Sequence, residues 1–75
     1  MPEPLSVQLA SVPDRKRLVA EIWLGSEMIA EVTGENENLA VELYARRSGS
    51  SWSLDYEQLL RALSEAKARL LQPRA

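Results

Sequence analysis

Cysteine and histidine are both missing from the 75 residues. Without Cys there is no disulfide and no thiolate zinc site. Without His the commonest metal ligand and the usual neutral-pH proton carrier are gone. Glycine is scarce: three residues, set far apart, which excludes a glycine-rich phosphate loop. The serines between Ser48 and Ser53 have no histidine to activate them, and an unassisted hydroxyl is a weak nucleophile. A non-catalytic protein without a cofactor is therefore expected.

An excess of charge of one sign is also lacking. Nine Lys and Arg are interspersed with eleven Asp and Glu, for a net charge of −2. Nucleic-acid-binding domains usually carry a basic face, so nucleic acid is not the expected partner. No apolar run approaches the ~20 residues of a membrane span. Residues 1–14 show no basic segment followed by an apolar one, so no export signal is expected. Together with the absence of Cys, this gives a cytoplasmic protein with no membrane partner as the expectation.

A chain of this length makes one domain at most. Small domains bury a modest share of their surface, roughly 60% at ~60 residues, and often gain stability from disulfides, metals or oligomerisation. Only the last suits this composition.

What is present is alternation. Leu5, Val7 and Leu9 alternate with polar or small residues in a segment flanked by Pro2, Pro4 and Pro13. That pattern predicts an extended N-terminal arm or edge strand within residues 1–14. Three clearer strands follow in RLVAEIWL, EMIAEVT and NLAVELYAR, separated by Gly25-Ser26 and by GENEN. SGSSWSLD is a loop, and Asp55 can cap a helix in which Gln58 completes a capping box and Leu54 and Leu59 form a hydrophobic staple. Tyr56, Leu59, Leu60, Leu63, Ala66 and Leu70 make an apolar stripe at helical spacing. Pro73 ends it.

The expected fold is α+β: a three-stranded antiparallel meander followed by one C-terminal helix packed on one sheet face, β-β-β-α over residues 15–75, with a possible extra N-terminal edge strand. A strand of ~8 residues and a helix of ~16 are both about 25 Å long, so the helix is expected to lie across the sheet. Centring the second turn on Asn36-Glu37 sets Val32 opposite Val41 and Ala30 opposite Leu43. The first turn leaves two registers open. A two-residue turn sets Trp23 opposite Met28 and mixes the faces. A three-residue loop sets Ile22 opposite Ala30 and gives a clean core face of Leu18, Ala20, Ile22, Leu24, Met28, Ala30, Val32, Leu39, Val41 and Leu43.

The other face then carries Val19, Trp23, Ile29 and Tyr44. An apolar patch that the helix does not cover marks an interaction surface. The leading expectation is a protein-interaction module that self-associates as a homodimer, or binds another protein, through these four residues. The same face aligns Glu21, Glu31 and Glu42 across neighbouring strands. Strands lie ~4.8 Å apart, so such carboxylates crowd. A divalent cation could relieve that crowding, as could simple splaying into solvent. Basic residues gather at Asp14–Arg17, at Arg46-Arg47 and, near the helix end, at Lys67, Arg69 and Arg74, without forming one stripe. Trp52 is expected to plug the open end of the core with its indole N–H on a loop carbonyl.

From Arg17 to Leu71 the β-β-β-α order is similar to the core of small antitoxins of the HicB kind, a partial ribonuclease-H-like arrangement that neutralises a toxin. SGSSWSLD stands where that family has a small-residue turn with a Gly-Cys or Gly-x-Thr pattern. The resemblance implies a second expectation: an antitoxin- or immunity-like inhibitor that uses its acidic strand face as a plug or nucleic-acid mimic.

Overall fold

The computed structural model describes residues 4–11, 18–35 and 38–72. Its elements are β1 (Leu5–Ser11), β2 (Leu18–Leu24), β3 (Glu27–Glu35), β4 (Asn38–Leu43) and α1 (Tyr56–Leu70). The four strands form one antiparallel sheet in the order β1-β2-β3-β4. The fold is α+β as expected, and the N-terminal segment is a true strand that pairs with β2 from Leu5 opposite Leu24 to Ser11 opposite Leu18. The boundary placed between residues 14 and 15, the basic run at Asp14–Arg17, the turn residues Asn36 and Glu37, and Pro73 and Arg74 lie outside the described residues.

The first hairpin resolves its two registers by using both. Gly25 and Ser26 make a two-residue turn, with Leu24 opposite Glu27 and Trp23 opposite Met28. The register then shifts, and Ile22 lies opposite Ala30. Ile29 is the extra residue of a β-bulge, which inserts one residue into one strand and re-aims those beyond it. Past the bulge Ala20 faces Val32, so the apolar face is clean even though the turn is short. Met28, expected on the core face, instead pairs with Trp23. The second hairpin has the expected register, Val32 opposite Val41 and Ala30 opposite Leu43. Gly34 closes against Leu39 with φ 137°, a backbone shape that side chains disfavour.

The helix begins where its cap dictates. Asp55 is the N-cap, and its Oδ2 accepts the Gln58 amide at 3.0 Å. Only half of the capping box serves the cap, because the Gln58 side chain crosses to β1, where Oε1 accepts the Leu5 amide at 3.2 Å. Arg69 also reaches β1, donating to the Val7 carbonyl at 3.0 Å, while it pairs with Glu65 one turn earlier at 2.6 Å. These contacts hold α1 over the β1 side of the sheet.

The core lies beneath the helix, over β1 to β3. Val7, Ala20, Ile22, Ile29, Ala30, Val32, Ala62 and Ala66 form its buried cluster. The helix turns its small residues Ala62 and Ala66 to the sheet, where Ala20 and Ala30 are small as well, which permits a close approach. Leu5, Leu9, Leu24, Leu39, Leu54, Leu63 and Leu70 pack around it, half-buried, as does Trp52. The expected core face therefore needs correction at its far end: Val41 is 49% and Leu43 71% exposed. The reason is width. Four strands span ~19 Å, and a helix with its side chains covers ~10–12 Å.

Candidate functional site

The sheet has two candidate surfaces. The first is the face away from the helix. Glu21 is opposite Glu31 and Glu31 opposite Glu42, with Gln8 continuing the row onto β1, so the expected alignment of carboxylates is present. The aromatic side chains of this face serve the row. Trp23 donates its indole N–H to Glu21 at 3.1 Å. The Tyr44 hydroxyl donates to Glu31, with Glu42 also within reach at 3.3 Å. Donation to Glu31, together with partial burial and the two negative charges, pushes the Tyr44 phenol far above its ordinary value, so Tyr44 stays a neutral donor. Among the described residues no group of three acidic side chains is arranged to hold a metal ion.

This arrangement alters the four-residue patch of Val19, Trp23, Ile29 and Tyr44. Val19 is fully buried and Ile29 is 1% exposed, the latter within the helix-side core because the bulge turns it there. Neither offers surface in the monomer. Trp23 and Tyr44 remain half-buried, and their polar atoms are engaged with the glutamates.

The second surface was not foreseen. On the helix side, β4 shows Val41 and Leu43, and α1 shows Tyr56 (74% exposed) and Leu60 (47%). Helical geometry places these two on a definite flank. Gln58 and Arg69, both bonded to β1, lie ~20° apart around the axis, while Tyr56 and Leu60 lie ~160–200° round from Gln58. They are on the flank towards β3 and β4. The result is an apolar ledge: β4 is its floor and one side of α1 its wall. Its floor is one strand wide, because Ala30 and Val32 of β3 are buried. The strand bounding it, β4, is also the last in the sheet.

Trp52 closes the end of the core near this ledge as expected. Its indole N–H donates to the Tyr44 carbonyl at 2.8 Å, and the Arg46 guanidinium lies 4.9 Å above the ring. Arg46 also approaches Glu27 at 3.9 Å, and Arg47 donates to the Ser26 carbonyl at 3.2 Å. Both arginines are thereby held at the C-terminal end of β4.

The ledge was hidden in the sequence because Val41 and Leu43 continue a flawless core alternation. The signal that could have revealed it is the strand-like Leu5–Leu9 segment: a fourth strand makes the sheet too wide for one helix. No described helix is long and apolar enough to cross a membrane. Compared with family models, curated proteins and solved structures, the chain matches none.

Proposed function

We propose that this chain is a small, non-catalytic protein-interaction module of the cytoplasm, and that it binds through β4, the strand its helix leaves uncovered. One observation carries the reading: Val41 and Leu43 on the helix side of β4, and Tyr56 and Leu60 on the flank of α1 that looks towards β3 and β4, are large apolar side chains left exposed. Exposed large apolar side chains gathered on one side of a domain characterise binding sites. The composition supports the non-catalytic part, since no histidine or cysteine exists to activate a nucleophile.

A photo-crosslinking residue at position 43, compared with one at Glu57 on the exposed polar side of α1, tests the proposal in cells that make the protein. Position 43 is expected to give a discrete adduct, of this chain with itself or with another, and position 57 none. Equal, background-level labelling at both positions would refute it.

The second expectation, an inhibitor presenting acidic residues, draws support from the alignment of Glu21, Glu31 and Glu42. On that reading the triple change to Gln abolishes partner binding while Leu43→Lys leaves it intact, the reverse of the leading proposal.

A further inference from the structure

We infer that the partner of the uncovered strand is a second copy of this chain, joined through β4 pairing with β4 of its twin about a two-fold axis that passes at Val41. This rests on the proposed interaction role and names its partner. The reasoning begins with the backbone. Tyr44 donates its amide to the Ile29 carbonyl at 2.9 Å. In an antiparallel ladder the hydrogen-bonded residues alternate. Asn38, Ala40, Glu42 and Tyr44 therefore turn their backbone groups to β3, and Leu39, Val41 and Leu43 turn theirs outward, to an edge that pairs with no other strand among the described residues. The residues with outward amides and carbonyls are the same ones whose side chains lie on the helix-side, apolar face of the sheet.

Self-pairing must keep that face continuous. With Val41 on the axis, Val41 meets Val41 of the second copy, and Leu39 meets Leu43, twice. On the other face Glu42 meets Ala40. Moving the axis by one residue to Glu42 would bring two carboxylates directly opposite each other, which destabilises a sheet. The product is an eight-stranded sheet with both helices on one face and the apolar ledges of the two copies fused into one trough between them.

Sedimentation of the full chain from micromolar to millimolar concentration, with amide hydrogen exchange at the two extremes, tests this. The wild type is expected to dimerise, and exchange at Leu39, Val41 and Leu43 to slow at least tenfold on association, while Ala40 and Glu42 change little. Val41→Lys and Val41→Asp are each expected to sediment as monomers, since like charges then face each other on the axis. An equimolar mixture of the two is expected to regain the dimer. Thermal melts of both variants, whose changed side chain is already half in solvent, verify that they fold; if either does not, Leu43→Lys, a change at a 71% exposed position that sets a charge against Leu39 of the second copy, is expected to be monomeric in its place. A wild type that stays monomeric at millimolar concentration, with rapid exchange at the three outward amides, overturns the inference. So does a dimer that survives both Val41 variants. In either case an adduct with a different chain at position 43 would leave the interaction role standing, and only loss of every adduct would remove both.

Discussion

Replacing Ile22 with alanine contrasts sharply with replacing Leu43, although both residues belong to one apolar face. Ile22 is 0% exposed and Leu43 71%. Ile22→Ala removes three carbons, worth about 2.4 kcal/mol at ~0.8 kcal/mol each. The cavity left behind raises the loss to about 2–5 kcal/mol. A domain of 75 residues is expected to be stable by about 4–11 kcal/mol, so this is a large fraction. Urea unfolding followed by far-ultraviolet circular dichroism reads it directly. With a slope of about 1 kcal/mol per molar at this size, the midpoint should fall by about 2 M or more. Leu43→Ala should move stability by no more than about 0.5 kcal/mol, measured in dilute solution so that association does not contribute. Equal losses for the two variants would refute the placement of the helix over β1 and β2. It would then have to sit centrally, covering β4 as well.

Substitutions at four further positions test local features. Asp55→Ala removes the acceptor of the Gln58 amide and should cost about 1 kcal/mol in the same urea assay, while Asp55→Asn should cost less. Gly34→Ala forces a methyl group against the Asn38 carbonyl oxygen and to 2.8 Å from the Leu39 Cα, at φ 137°, and should cost at least ~2 kcal/mol. Gly49→Ala, at φ 82° with open space around it, should cost only ~1 kcal/mol, and a reversed order in thermal melts would contradict the hairpin geometry. Tyr44→Phe removes the hydroxyl that serves Glu31 and Glu42 and should cost about 1 kcal/mol at neutral pH. Because the folded Tyr44 is raised above the ordinary phenol value of 10.0, the folded state holds its proton where the unfolded state releases it. Its contribution is therefore complete below pH 10 and is lost as pH rises beyond it. The alkaline fall in stability should be shallower in Tyr44→Phe, and identical pH profiles would show that the phenol does not titrate as described.

Much of this molecule is legible in its sequence. The helix was legible because its signals are local: Asp55 at the cap, alternating threes and fours in the stripe, and Pro73 beyond. The strands and the second hairpin were legible because a period of two with polar turn residues leaves one register that keeps Val32 and Val41 on the same face. The alignment of Glu21, Glu31 and Glu42 followed from that pairing together with the three-residue form of the first loop, and the bulge restored the same alignment behind a two-residue turn.

The bulge itself, and with it the burial of Ile29, was a choice between registers that differ by one residue, and only tertiary packing selects between them. Residues Leu5–Ser11 were ambiguous because an isolated edge strand has no stability of its own and forms only when β2 is there to receive it. The largest difference followed from that strand. Once β1 joins, the sheet is four strands wide, the bonds from Gln58 and Arg69 draw α1 to its first edge, and one helix cannot reach the other. The residue pattern sets which residues are apolar and, outside the bulge at Met28-Ile29, which face of each element they occupy. Which of those faces is covered, at Ile22 but not at Leu43, was decided by the three-dimensional position of the helix, because burial depends on what lies above a residue and not on the residue's own pattern.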